Sequence, residues 1–426
     1  MERCLWSALS LVRRVLEREE EMVQSFALRL REAKGRLDSF ERSPRHRAPK
    51  VEAVYALARG AAPRIPIELR LAPGTKTTLR GELGRVLNHY NRASGGALVS
   101  AAADLLGSTS VSTVGEGFPA GFLDLRSNPE ARLMTTGGIC EDAMSGILCG
   151  LSSYGRHIGV GSSYGAFIAA LGHVASRLHA IGAQARESVF GDPYRTAILI
   201  CAHAGLKTGE DGPTHADPQA LQLVQEDFPP GTVITLTPWD PAEIWTLVTA
   251  ALERRPAIIF PFVTRPTEVV LDRFALHLAP ATAAATGVYK LRSATGPGDG
   301  SVVLQGSAVA YAFLEEALPL LDRDGLDLDV YYVASAELFD ALAPEERERI
   351  YPASVAAEAI GITDFTLPTL WRWVTSSRGR EASLHPFGKG HFLGSGAGPK
   401  VLREAGLDGE SQYRALKAFV GQRVGV

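Results

Sequence analysis

From residue 77 onward the chain alternates short apolar runs with helical stretches, and the runs lack polar alternation. They are "GALVSAAADL", "RLMTTG", "HIGVGSS", "TAILICAHAG", "TVITLTP" and "AIIFPFV". Around them, "TLRGELGRVLNHYNRA" and residues 139–154, 164–180, 217–226 and 240–253 read as helices. A strand that is apolar on both sides must be covered on both faces, which a parallel sheet achieves with crossover helices. The pattern therefore predicts a doubly wound, mostly parallel α/β domain over residues 74–267. Residues 268–300 are low in bulky apolar side chains and read as a linker. A second, smaller α/β domain is expected over 301–426: "SVVLQGSAV" as strand, 308–321 as helix, "LDVYYVAS" as strand, then a helical, aromatic tail.

Residues 1–73 read as an N-terminal helical extension. Leu5, Leu9, Val12 and Leu16 recur at three- and four-residue steps, and Phe26, Leu30 and Leu37 continue the stripe. That spacing predicts an amphipathic helix pair lying on a larger body; a free coiled coil fits less well, because heptads are not sustained. "ERSPRHRAPK" at 41–50 reads as an exposed basic loop, and a further helix is expected over 50–59 before a Pro-rich connector.

A net charge of −3 (44 basic against 47 acidic residues) gives no basic field for nucleic acid or an anionic membrane. Cys4, Cys140, Cys149 and Cys201 are scattered without metal-ligand spacing, which suits a reducing compartment. No apolar run approaches the ~18–20 residues of a membrane span. The first residues, with Glu2, Arg3 and "EREEE", do not read as a signal peptide, and a cytoplasmic location is expected.

Ligands of doubly wound sheets sit at the carboxyl ends of the strands. The polar segments "AADLLGSTS", "GICED", "GSSYG" and "HAGLKTGEDGPTH" all fall at such ends. Within the last, "GEDGPTH" (209–215) holds two carboxylates, a histidine, a proline and two glycines, and no hydrophobic anchor. Its position makes it a candidate site loop rather than a solvated turn. Glu141 opens a helix of small and apolar residues. A first-turn carboxylate often only complements the helix dipole, as Asp142 could equally do, but apolar surroundings demand a partner for it. Tyr164 and Phe167 stand three apart on one helix face, as core rings or as a platform for a flat ligand. "GPGDGS" (296–301) lacks a Walker lysine and reads as a flexible turn. "GVGSSYG" (159–165) lacks the acidic residue of a dinucleotide fold.

Several of these pieces together resemble one family. "GICEDAM", "SAAADLLGSTS", "GSSYGAFIAAL", "HAGLKTGEDGPTH" and "PFGKGHFLGSGAGPKVLREAGL" are similar to segments of transketolases, with EDGPTH intact. The resemblance runs from about residue 77 to the end and is to the family's C-terminal half. The family's diphosphate-binding domain, with its GDG and downstream asparagine pair, does not precede residue 77, and the "GDG" at 298–300 is a decoy.

The resemblance implies the C-terminal subunit of a split, thiamine diphosphate-dependent transketolase. Such an enzyme moves a two-carbon ketol unit from a ketose, phosphorylated by expectation, to an aldose. It implies Mg²⁺ held mainly by a separate N-terminal, diphosphate-binding subunit, and an α₂β₂ heterotetramer. Glu141 matches the carboxyl that meets the aminopyrimidine; Tyr164 and Phe167 match the rings packing on it; Asp104 matches an acidic residue near the thiazolium. Asp211, His215 and His203 match catalytic positions that also contact the donor sugar, and Arg80, Ser108 and Arg265 match residues gripping the sugar phosphate. There are departures: Cys140 stands for an arginine, Ala204 for an acid and Lys207 for a glycine, and the segment before Arg265 is about two residues longer. Two alternatives remain at this point: another thiamine enzyme, a synthase or E1-type component with a different acceptor, and a non-catalytic scaffold that keeps the fold.

Overall fold

The structure, a computed structural model, describes residues 2–40, 48–208, 210–212, 214–215 and 217–421. Most of the expected basic loop, residues 41–47, and Gly209 and Pro213 of the GEDGPTH segment lie outside them.

Residues 1–48 and 49–426 are two units. The first is a pair of helices, α1 (Glu2–Arg18) and α2 (Glu20–Ser39). Neither buries a residue, and Leu5, Leu9, Val12, Leu16 and Phe26 are exposed.

The second unit carries two main sheets. After α3 (Val51–Ala58), β1 (Lys76–Thr78) leads into α4 (Leu79–Ala93), whose first turn is capped by the Thr78 hydroxyl accepting from Gly81 N. The first sheet is built from β2 (Leu98–Ala101), β3 (Ile158–Ser163), β4 (Ala197–Cys201), β5 (Val233–Leu236) and β6 (Ile258–Pro261). It has the order β2-β3-β4-β6-β5, parallel throughout. Every residue of these strands is buried, as the unalternating apolar runs require. The crossovers include α5 (Glu141–Tyr154), α6 (Gly165–Phe190) and α7 (Ile244–Arg254). Gly159 lets α5 lie close on β3: a Cβ there would stand 2.2 Å from Leu148 O.

β7 (Thr267–Val269) pairs antiparallel with β1. The second sheet has the order β11-β9-β10-β8, from β8 (Val288–Arg292), β9 (Gly300–Gln305), β10 (Leu328–Val333) and β11 (Ile360–Thr363). β9, β10 and β11 are parallel, and β8 is an antiparallel edge. Buried polar bonds tie the sheets together: the Glu337 carboxylate accepts from Thr235 N (3.0 Å) and Thr235 Oγ1 (2.7 Å), and Gln305 Nε2 donates to Gln225 Oε1 (2.9 Å).

The doubly wound α/β architecture is as expected, with local differences. "RLMTTG" forms only isolated bridges, Leu133 to Ser100 and to Phe122, instead of a strand. Residues 217–226 make turns and the 3₁₀ segment Leu221–Leu223, because Glu226 takes a left-handed φ of 61° and Asp217 turns back to cap Gln219 N. α6 runs on to Phe190 rather than stopping at 180. The stretch 268–300, expected as a linker, holds β8, in whose "VYKLR" Val288, Tyr289 and Leu291 are buried while Lys290 and Arg292 are half-buried. The tail expected to be helical contains β11, a short strand buried throughout. "GPGDGS" is a turn held by Asp327, whose carboxylate accepts from Thr295 N, Thr295 Oγ1 and Gly296 N.

Candidate functional site

Helices that follow or precede parallel strands point their N-termini at the carboxyl edge of the sheet. At that edge, α5 starts with Glu141 and α6 follows Tyr164. Glu141 is 2% exposed, and Oε1 accepts a 2.7 Å hydrogen bond from Ser163 Oγ at the end of β3. The bond fixes the orientation of the carboxyl at the start of α5. Tyr164, next in the chain, and Phe167 form a near-parallel ring pair with centroids 6.4 Å apart at 26°.

Two residues beyond β4, the His203 side chain is fully buried, and its ring stacks on Tyr164 with centroids 3.7 Å apart at 17°. Arg80, in the first turn of α4, brings Nη1 to 3.3 Å from His203 Nε2. A guanidinium can only donate, so Nε2 accepts and the ring proton sits on Nδ1. Nδ1 lies 2.8 Å from Asp211 Oδ2 but off the line of a straight N–H bond, so the pair is an electrostatic contact. Burial pushes His203 down to about 4; the Asp211 carboxylate opposes this, and Arg265 and Arg80 add to it. The imidazole is therefore neutral at pH 7. Burial, then the nearby Arg265, also lowers Arg80.

Arg265, in the loop after β6, joins the cluster from the other side. Its Nη1 is 3.4 Å from Asp211 Oδ1, and Nη2 is 2.5 Å from Glu210 Oε2. His215 stands edge-on to both rings, 5.4 Å from Tyr164 and 5.4 Å from Phe167, with Nδ1 2.8 Å from Thr214 Oγ1. Gly212 takes φ 69°, and a Cβ there would meet Ser395 Oγ at 2.1 Å, so the loop passes flush against the segment before helix Gly398–Ala405.

One continuous cluster thus gathers Arg80, Tyr164, Phe167, His203, Asp211, His215 and Arg265, with Glu141 attached through Ser163. Asp104 and Ser108 sit apart, in the turns after β2. Asp104 is exposed, Ser108 Oγ bonds locally to Leu105 O (3.3 Å), and among the described residues neither bonds to the cluster. Sequence reasoning missed Ser163, Glu210 as the partner of Arg265, and the pairing of Lys207. Ser163 had a faint signal, as a polar side chain closing a wholly buried strand. Among the described residues no group of three or more His, Cys, Asp or Glu is arranged to hold a metal. None of their helices is long and apolar enough to cross a membrane.

Two wound sheets with a charged, ring-lined cluster at a carboxyl edge define a doubly wound α/β protein. Residues 76–263 match the model of the transketolase pyrimidine-binding domain, and the chain is similar to transketolases across that segment. Transketolase 1 of Pasteurella multocida is 29% identical over 262 residues, which is 59% of this chain and 35% of that protein. The transketolase of Rhodobacter capsulatus is 26% identical over 380 residues, 85% of this chain and 51% of the relative. The chain therefore spans about half, or less, of the length of these curated relatives. Among solved structures, the transketolase from Leishmania mexicana overlays with a TM-score of 0.65 at 22% identity, covering 87% of this chain and 49% of that one. A split-gene transketolase described as an inactive β4 tetramer overlays with a TM-score of 0.54 at 17% identity, covering 81% of this chain and 98% of that one.

Proposed function

We propose that this chain is the C-terminal subunit of a split, thiamine diphosphate-dependent transketolase, active only with a separate diphosphate-binding subunit. The observation that carries the reading is Glu141: a buried carboxyl hydrogen-bonded to Ser163, the residue preceding Tyr164 of a ring pair, in a segment matching the transketolase pyrimidine-binding domain. These residues fit the pyrimidine end of the cofactor. The carboxyl would meet a ring nitrogen, and Phe167 with the face of Tyr164 that His203 leaves uncovered would pack the ring. When bound, the cofactor supplies a carbon nucleophile that a side chain cannot provide. Mg²⁺ and the diphosphate are assigned to the partner.

The chain's own residues would bind, orient and move protons. Glu141 would hold a proton at the pyrimidine nitrogen, with Ser163 fixing its carboxyl. Neutral His203, held by the hydrogen bond its Nε2 accepts from Arg80 and by its stack on Tyr164, would orient rather than carry charge. His215, edge-on to both rings, is placed to exchange a proton with a donor hydroxyl. Arg80 and Arg265 offer planar forks to a sugar phosphate. Asp104 and Ser108 would join such a substrate only if the loop after β2 moves toward it. Exposed Ile147, Val174, Leu178 and Ile181 on α5 and α6 support a surface that a partner would cover.

The test is reconstitution. The purified chain, given thiamine diphosphate, Mg²⁺, a ketose phosphate and an aldose, should show no turnover. Adding the diphosphate-binding half of a transketolase encoded beside it should start ketol transfer, read in a coupled assay. Turnover by the chain alone defeats the split reading, and silence with the partner defeats the transketolase reading.

A further inference from the structure

The loop that carries Glu210, Asp211 and His215 grows from a short segment with an unusual side chain. Lys207 lies in the 3₁₀ turn Leu206–Thr208, only 16% exposed. Its Nζ is 2.6 Å from Glu268 Oε2 on β7, a carboxylate 5% exposed. The same Nζ sits 3.8 Å above the Tyr311 ring, within the second-sheet helix Ser307–Ala312, and Tyr311 Oη donates to Val269 O at 2.9 Å. Lysine, β7 and the second sheet's helix thus close a ring of contacts. On its other flanks the segment is equally hemmed in. A Cβ at Gly205 would come 3.0 Å from the Asp364 carboxylate, and one at Gly398 would come 3.0 Å from Lys207 O.

We infer that Lys207 is a positioning residue: its buried ion pair with Glu268 and its seat on Tyr311 clamp the root of the site loop between β7 and the helix Ser307–Ala312, and so hold Asp211 against His203. The argument is energetic as well as geometric. A buried ion pair contributes little net stability, but removing one partner strands the other, and Glu268 Oε1 already lacks a partner. The ammonium therefore ties the site loop to the carboxylate beneath it. This role holds whichever reaction the site serves.

The experiment uses the full chain with histidines labelled by ¹⁵N, and follows ring signals by NMR from pH 5.5 to 8. His203 is faced by Asp211, Arg80, Arg265 and Tyr164. In the native chain it should stay neutral across that range. In Lys207→Met the loosened loop should let water reach the ring, and His203 should begin to titrate near its ordinary value. The charge swap Lys207→Glu with Glu268→Lys should restore the native spectrum. His157, His179 and His385, which lie elsewhere, should not move in any variant. If Lys207→Met is folded and its His203 signals are native, the inference fails. It fails equally if all four histidines shift together, which would mark a global structural role. Should Lys207→Met not fold, Glu268→Gln and Lys207→Arg replace it: Glu268→Gln must shift His203 and Lys207→Arg must not, and any other pair of results overturns the clamp.

Discussion

Ser163 and Glu141, 22 residues apart in the chain, meet through a 2.7 Å hydrogen bond that links the end of β3 to the start of α5. The bond gives a nearly inaccessible carboxyl one fixed partner. If Glu141 serves the pyrimidine nitrogen, Glu141→Ala should lower turnover of the reconstituted enzyme by about 100-fold or more while circular dichroism stays native. Ser163→Ala removes only the orienting bond and should cost about tenfold or less, the scale of one neutral hydrogen bond. A Glu141→Ala enzyme at full rate ends the carboxyl's proposed role.

Stability should depend on His203. Its folded value is depressed to about 4, below the ordinary imidazole value. In the window between, the unfolded chain binds the extra proton and the folded chain does not. The contribution is fully present above about pH 6.5 and is lost as pH falls toward 4. Urea midpoints should therefore drop from pH 7 to pH 5, and drop less in His203→Gln. Part of the fall should remain, since burial also lowers His157, His179 and His385. An identical pH slope in the variant would contradict the depressed imidazole.

Arg265 bridges Glu210 and Asp211 at the open side of the cluster. If it also grips a phosphate, Arg265→Ala should raise KM for a phosphorylated ketose by roughly tenfold or more, the scale of a charge-assisted contact. An unphosphorylated ketose should be far less affected. Equal losses on both substrates would mean that Arg265 acts only by holding the acidic loop.

Gly159 tests the packing that carries Glu141. A methyl group there would sit 2.2 Å from a backbone carbonyl of α5, so something must shift. Gly159→Ala should cost about 3 kcal/mol or more, read from denaturant unfolding, as overpacking against backbone does. Gly146→Ala, with open space around its Cβ, is the control and should be neutral or mildly stabilising. A native midpoint for Gly159→Ala would show that α5 is free to move off the sheet.

The alternation of apolar strands and helices determined the two wound sheets, because strands buried on both faces leave few other solutions. It also placed the polar segments at one edge, so Glu141, Tyr164, Phe167, His203 and the 209–215 loop were legible before any coordinates. Glycine- and alanine-rich stretches hid β8 and β11, since short strands at or near a sheet's edge carry little apolar signal. The pairings were decided in space alone. His203 on Tyr164, Arg265 on Glu210 and Lys207 on Glu268 join residues 39, 55 and 61 positions apart. Local periodicity reports which way a side chain faces; only the packed chain reports what it faces, because contacts between distant segments depend on how whole elements cross.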